Sequence, residues 1–213
     1  MRSSMKKLLT VAILLLILLT GCSIFHKHPE PLAVYDLAVQ PHHIVKQKTH
    51  LQKKSILIND ASAPSWLDNT AIYYRLAYHN PAQLHRYANS RWIASPNVML
   101  TQRMRDQIAD NTGSQIIKNN HTAKAEYSVH IELEEFIQIF DSTQRSHGSI
   151  ALRASLIRHS TRNLIAQNYF STQVAAPTSD ASGAVIALSN ASDELINKII
   201  EWMLVELPAS SLH

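Results

Sequence analysis

The chain has 213 residues with 20 Lys or Arg and 16 Asp or Glu, which gives a formal net charge of +4 at pH 7. Three of the basic residues and none of the acidic ones lie in residues 1–21, so the remainder has 17 basic and 16 acidic residues and a net charge of +1. This balance, without a basic patch interleaved with aromatic residues, gives no support to nucleic-acid binding. With 4 glycines and no G-x-G-x-x-G or Walker motif, a phosphate-binding glycine loop is excluded, and the single cysteine excludes a disulfide within the chain.

The first 21 residues have the pattern of a secretory signal peptide. Arg2, Lys6 and Lys7 precede an apolar run over residues 8–19, and a basic leader before such a run is typical of these peptides. The run is shorter than the roughly 20 apolar residues that a membrane-spanning helix needs. We therefore predict export from the cytoplasm.

The residues that end this segment, Leu19-Thr20-Gly21-Cys22, resemble the bacterial lipobox. The resemblance implies diacylglycerol on the Cys22 sulfur, cleavage between Gly21 and Cys22, and an acyl chain such as palmitate on the new amino group. Ser23, which is not Asp, implies sorting to the outer membrane. Two or three acyl chains anchor a protein stably, where one does not. The alternative is an ordinary signal peptide or membrane anchor in which Cys22 has no role.

The rest of the chain is predicted to be one domain behind a short tether. Residues 22–32 contain two prolines and several polar residues and form the acylated N-terminus and tether, residues 33–206 form the domain, and residues 207–213 form a C-terminal tail. The first strands are predicted within residues 33–39 and 55–60.

A hairpin and a helix follow in the sequence. Residues 71–78 alternate with period two, the stretch HNPA (79–82) has turn chemistry, and QLHRYA (83–88) returns as a second strand. Ser95 and Pro96 are suited to begin a helix. Its apolar face would carry Leu100, Met104 and Ile108, and Gly113 is a stop signal.

A meander and a long helix complete the prediction. Strands are predicted within 125–140, 148–159 and 163–174, with a short strand at 114–118 and a hairpin connection at 160–163. Asp180 or Ser182 is expected to cap a long amphipathic helix. Its buried face is predicted to consist of Ala184, Leu188, Ala191, Leu195, Ile199 and Trp202. The fold class is therefore α+β, with six to eight largely antiparallel strands packed against two main helices.

From about residue 35 to about residue 202 the chain resembles the ABC-type transport auxiliary lipoproteins, the Pqi-type lipoproteins of MCE-type lipid transport systems. The resemblance is carried by YDL (35–37), IYYR (72–75), LHRYANSRWIASPNVML (84–100) and EEFIQIFDS (134–142). The matching positions are Tyr74-Arg75, Tyr87, Arg91-Trp92, Ala94, Pro96 and Leu100. Ser95 departs from the pattern, because many relatives carry a second proline there, and this affects only the helix entry.

The resemblance implies a transport subunit and not an enzyme. It implies an outer-membrane lipoprotein that faces the periplasm and works with an inner-membrane MCE-domain protein that forms a lipid conduit. A permease and an ATPase are implied as indirect partners, and ring-like homo-oligomerisation is implied as well. Two further hypotheses stay open: a lipoprotein that carries lipid in its own cavity, and an envelope assembly factor.

Five residues of the family pattern are candidates for a partner or lipid contact: Tyr74, Arg75, Tyr87, Arg91 and Trp92. Trp and Arg are favoured at interface hot spots. The alternative is that Trp92 closes the core beside the first helix while Arg91 makes a local hydrogen bond, because buried aromatic residues dominate cores. Tyr73, Tyr74 and Tyr78 cannot all share one face of a strand, so at least one of them is expected in the core.

Neither a catalytic group nor a cofactor or metal site is predicted. The 12 histidines include His42-His43, which as neighbours cannot easily converge on one ion. Four others fall near turns or strand ends without an acidic partner at ligand spacing: His79, His85, His121 and His147. Glu132 and Glu134 would share the solvent face of a strand, where charge is expected. Glu135 adjoins them, and no G-x-S-x-G motif holds a serine nucleophile.

Overall fold

The computed structural model describes residues 31–37, 54–112, 114–117 and 125–207. The chain separates into two compact units, Met1–Pro31 and Leu32–His213, and the folded domain described here belongs to the second. The lipobox with Cys22, residues 38 and 39 of the first predicted strand, the predicted helix stop at Gly113 and most of the predicted tail lie outside the described residues.

Eight strands and two helices make up the described domain, in an order that confirms the α+β prediction. The strands are β1 (Ala33–Tyr35), β2 (Ser55–Ile58), β3 (Ala71–Leu76), β4 (Leu84–Trp92), β5 (Gln115–Ile117), β6 (Tyr127–Phe140), β7 (Ser146–Arg158) and β8 (Asn163–Ala175). The helices are α1 (Pro96–Thr112), between β4 and β5, and α2 (Ala181–Glu206), after β8.

The three longest strands form the predicted antiparallel meander, with β7 between β6 and β8. In β6 the alternate residues Tyr127, Val129, Ile131 and Leu133 are buried, as their period-two pattern predicts. A bulge between Leu133 and Glu135 then shifts the register. Because a bulge adds one residue, Phe136 instead of Glu135 continues the buried face.

The free edge of β6 is covered by two short strands in succession. Strand β2 pairs with Tyr127–Val129 and β3 pairs with Gln138–Phe140, both in parallel, with an isolated bridge from Ser62 to Glu132 between them. Strand β5 extends the β2 branch, and β4 followed by β1 extends the β3 branch. The long strand pairs are therefore antiparallel, whereas the pairs of β1 with β4, β2 with β5, and β6 with both β2 and β3 are short and parallel.

Both helices pack their apolar faces into one core. In α1, Leu100, Met104 and Ile108 are fully buried, as their spacing predicts. Helix α2 lies on β6, β7 and β8 and also contacts α1. Its predicted face is buried from Ala184 to Ile199, and Trp202 lies partly buried with its ring edge against Phe170, at a centroid distance of 5.6 Å.

Gly148 on β7 marks a close approach of the sheet to α2. A Cβ atom at this position would lie 2.9 Å from the carbonyl carbon of Ala187 and 2.9 Å from the amide nitrogen of Leu188. Since both atoms belong to the helix backbone, a side chain at residue 148 would push the helix away. Neither helix of the described domain has the length and apolar character of a membrane span.

Candidate functional site

Four rings meet at the end of the sheet where β3 turns into β4. The ring of Tyr74 stacks on His85 with a centroid distance of 5.1 Å and an interplanar angle of 16°. It also lies 4.8 Å from the ring of Tyr87 and 5.7 Å from the ring of Phe140. We refer to Tyr74, His85, Tyr87 and Phe140 as the aromatic cluster. Strand pairing assembles it, because Tyr74 is opposite His85 on β4 and opposite Gln138 on β6.

A chain of polar groups runs from the aromatic cluster into the core. The hydroxyl of Tyr87 donates a 2.6 Å hydrogen bond to Oε1 of Gln138, and Nε2 of Gln138 donates a 2.8 Å bond to Oγ of Ser146. Gln138 is fully buried, so these bonds satisfy an amide that water cannot reach. Burial raises the pKa of Tyr87 above its ordinary value, and the nearby Tyr74 and Asp180 raise it further. The phenol therefore remains a neutral donor at physiological pH.

The carboxylate of Asp180 caps the N-terminus of α2 near this cluster. It accepts a 2.8 Å bond from the amide of Gly183 and a 2.7 Å bond from the hydroxyl of Thr178. The Gly183 amide, followed by the Thr178 hydroxyl, lowers the pKa of Asp180. Of the two predicted caps, Asp180 and Ser182, the structure uses Asp180.

Comparison with known proteins settles the family. The model of the ABC-type transport auxiliary lipoprotein component family matches residues 35–200. This chain belongs to that family. The match runs from Tyr35, the last residue of β1, to Ile200 in α2 and so includes strands β2 to β8 in full. No curated protein matches the sequence.

Solved structures share the fold of this auxiliary lipoprotein at low sequence identity. A protein from Xanthomonas campestris is 18% identical with a TM-score of 0.64, and the match covers 72% of this chain and 86% of that one. An uncharacterized protein is 12% identical with a TM-score of 0.65, covering 82% and 99% of the two chains. A hypothetical protein from Chlamydia trachomatis is 9% identical with a TM-score of 0.52, covering 72% and 97%. At these identities the likeness concerns the fold alone.

The five family-pattern residues predicted as contacts do not converge on one site. Tyr74 and Tyr87 meet in the aromatic cluster. Arg75, the next residue of β3 after Tyr74, points to the opposite face of the sheet, where Nη1 lies 3.9 Å from Oε2 of Glu135. Arg91 is exposed near the edge formed by β1. Trp92 is only 1% exposed and packs edge-on against Phe136, so its burial favours the packing interpretation.

Sequence reasoning missed His85, Phe140 and Gln138. The length of the β3–β4 turn could have identified His85, because residues paired outward from the turn place His85 opposite Tyr74. Gln138 stands as a single polar residue in the apolar run FIQIF (136–140). A buried amide of this kind needs a partner, but nothing local in the sequence identifies it as Tyr87.

The carboxylates of β6 make ion pairs and hydrogen bonds on the outer face of the meander. Oε1 of Glu134 lies 3.2 Å and Oε2 of Glu132 lies 3.9 Å from the guanidinium of Arg153, and Glu135 accepts a hydrogen bond from the hydroxyl of Ser149. His147, one of the histidines considered as a ligand, lies 3.0 Å from a single carboxylate, that of Asp141. Within the described ranges, no three His, Cys, Asp or Glu side chains are grouped to hold a metal ion.

Proposed function

We propose that this chain is a non-catalytic outer-membrane lipoprotein that serves as the auxiliary subunit of an MCE-type ABC lipid transport system. It would act between the inner and outer membranes, with the domain facing the periplasm. The observation that carries the proposal is the family match, which runs over residues 35–200 and so takes in nearly all of the domain. Membership of a transport-auxiliary family supports a binding role rather than a chemical one.

The N-terminal sequence supports the proposed location. Cys22 follows Leu19-Thr20-Gly21 in the lipobox pattern, and Ser23, which is not Asp, favours sorting to the outer membrane. Acyl chains on Cys22 would hold the domain at the membrane, since each buried methylene contributes about 0.8 kcal/mol.

The aromatic cluster is the surface that we propose for the MCE-domain partner. Tyr74, His85 and Tyr87 are partly exposed, and partly exposed aromatic rings held in a fixed geometry are characteristic of interface hot spots. The bond from Tyr87 to the buried Gln138 fixes one ring before any partner arrives, which reduces the entropy lost on binding. Tyr78, two residues beyond the end of β3, is 48% exposed and offers an accessible position close to the cluster in sequence.

Native mass spectrometry of the acylated protein, purified gently from its own envelope, tests the proposed function. We expect a homo-oligomer that co-purifies with an MCE-domain protein. A lone protomer with one lipid beyond the acyl chains of Cys22 would overturn the proposal in favour of a lipid carrier. An oligomer bound instead to assembly machinery would overturn it in favour of an envelope assembly factor.

A photo-crosslinking residue placed at Tyr78 tests the proposed surface. Val205 on α2, which is 82% exposed, is the matched control position. We expect crosslinks to the MCE-domain protein from residue 78 and none from residue 205. Crosslinks from residue 205 alone would place the docking surface elsewhere while leaving the subunit assignment intact.

A further inference from the structure

Three large apolar residues are exposed where β1 and the end of β4 form an edge of the sheet. Leu32 is 48% exposed, Val34 is 49% exposed and Ile93 is 63% exposed. In the parallel pairing of β1 with β4, Val34 is opposite Arg91, and the amide of Ile93 bonds to the carbonyl of Tyr35. Because residues two apart share a face of a strand, Leu32, Val34 and Ile93 lie on one face and Tyr35 and Trp92 on the other. We call these three residues the edge patch.

We propose that the edge patch rests on the surface of the phospholipid bilayer that holds the acyl chains of Cys22. This inference rests on the lipid anchor of the proposed function. Leu32 is the tenth residue after Cys22, and a chain of that length spans at most about 35 Å when fully extended. The edge patch therefore begins where the tether ends, and the anchor keeps it within reach of the bilayer.

The small size of the patch fits an orienting contact and not an independent membrane anchor. Three half-exposed aliphatic side chains bury too little area to recruit a free domain, whereas a tethered domain meets the bilayer at a high effective concentration. The tether thus supplies the proximity and the patch sets the orientation.

Apolar contact, not charge, is expected to drive this orientation. The charged residues directly beside the edge patch are Arg91, opposite Val34, and Asp36, two residues beyond Val34. Their charges are opposite, so the patch itself has no excess of positive charge to attract anionic headgroups. Docking should therefore be the same on zwitterionic and anionic bilayers.

The position of the patch is compatible with simultaneous partner binding. The aromatic cluster includes His85 near the start of β4, and Ile93 directly follows the end of that strand. In the pairing with β3, His85 is opposite Tyr74, whereas Arg91, two residues before Ile93, is opposite Ala71. One end of β4 can thus face the bilayer while the other presents the cluster to the periplasm.

A fluorescent probe on single cysteines tests the proposal in the acylated protein reconstituted into phosphatidylcholine vesicles. The thioether on Cys22 leaves an introduced cysteine as the sole thiol, because Cys22 is the one cysteine of the chain. The probe positions are Val34→Cys and Ile93→Cys. The control is Leu164→Cys, which is 57% exposed on β8, at the opposite edge of the sheet from β1.

We expect a blue shift and quenching by nitroxide-labelled lipid at residues 34 and 93, and neither effect at residue 164. A probe at Leu32→Cys should lose its quenching when Val34→Asp and Ile93→Asp are added, with the thermal unfolding temperature unchanged because both side chains are exposed. Equal quenching at all three positions, or quenching at residue 164 alone, would overturn the proposal.

The intact mass of the purified protein separates the two ways in which the inference can fail. A mass without acyl chains would mean that the protein has no lipid anchor, and it would overturn this inference. An acylated protein with unquenched probes at residues 34 and 93 would overturn the docking of the edge patch alone. Neither result depends on whether an MCE-domain partner is found.

Discussion

The guanidinium of Arg103 on α1 makes two 2.7 Å hydrogen bonds to the two carboxylate oxygens of Asp193 on α2. Arg103 is buried, and a third nitrogen bonds to the carbonyl of Leu37, just after β1. The carbonyl of Leu37 also accepts a 3.0 Å bond from the hydroxyl of Ser189. One ion pair thus joins both helices to the segment through which the chain enters the sheet.

Asp193→Ala should destabilise the domain by about 3 kcal/mol, because it leaves a buried guanidinium without its counter-ion. This loss of stability is at the lower end of the range for buried ion pairs, since the Asp193 side chain is 31% exposed. Asp60→Ala is the matched control, because it removes the more exposed partner of Arg105 and should cost less than about 1 kcal/mol. Urea unfolding monitored by tryptophan fluorescence measures both. Equal costs would mean that the Arg103 pair does not join the helices.

Gly148→Ala should destabilise the domain by about 1–3 kcal/mol, the usual cost of overpacking. The new Cβ would lie 2.9 Å from backbone atoms of Ala187 and Leu188, which cannot move without displacing α2. The clash outweighs the gain of up to about 1 kcal/mol that Gly→Ala gives through the unfolded chain. Gln173→Ala, an exposed change on the neighbouring strand, should stay within about 0.5 kcal/mol of the wild type in the same unfolding measurement. A Gly148→Ala protein as stable as the control would contradict the close packing of α2.

Local patterns in the sequence predicted most of the fold. Apolar residues alternate from Tyr127 to Leu133 and recur at helical spacing from Ala184 to Ile199. Each pattern predicts a buried face, and the structure confirms both. The parallel pairing of β2 and β3 with β6 was not predicted. Each of these strands pairs with β6 over only three positions, the paired residues are distant in sequence, and no local pattern indicates their pairing.

The candidate site was predicted only in part, for a related reason. Tyr74 and Tyr87 entered through the family pattern, but their contact depends on the register of β4 on β3, which places His85 opposite Tyr74. A family pattern does not distinguish the orientation of adjacent residues such as Tyr74 and Arg75, yet their side chains lie on opposite faces of the strand. The partners Gln138 and Asp180 come from elements more than 50 residues away, so only the folded chain brings them together.

Tyr87→Phe should destabilise the domain by about 1–2 kcal/mol. It removes the 2.6 Å bond to Oε1 of Gln138 and leaves a fully buried acceptor without its phenol partner. Tyr169→Phe, at a half-exposed position on β8, is the control and should change stability by less than about 0.5 kcal/mol. Equal midpoints of urea unfolding for the two variants would contradict a structural role for the Tyr87 hydroxyl.

The same tyrosine should make the domain sensitive to alkali. The pKa of Tyr87 is raised in the folded protein by burial, Tyr74 and Asp180, so its contribution is fully present below the unfolded pKa of about 10 and is lost as pH rises through the folded pKa. Stability should fall by up to about 1.4 kcal/mol per pH unit for this group above about pH 10. The slope should be shallower in Tyr87→Phe, and unfolding measured between about pH 8 and pH 11 compares the two. Parallel pH profiles would contradict the raised pKa.

Asp180→Ala should cost about 1 kcal/mol by removing the cap of α2, whereas Asp180→Asn should cost much less because Asn is an equally good cap. Ser182→Ala tests the other residue that the sequence offered as a cap and should have little effect. The pKa of Asp180 is lowered, first by the Gly183 amide, so its contribution is present above the unfolded pKa of about 3.9 and is lost as pH falls through the folded pKa. The stability advantage of the wild type over Asp180→Asn should therefore shrink below about pH 4, as measured by thermal unfolding across the acid range. An advantage that does not change with pH would mean that the charge of Asp180 adds nothing to the cap.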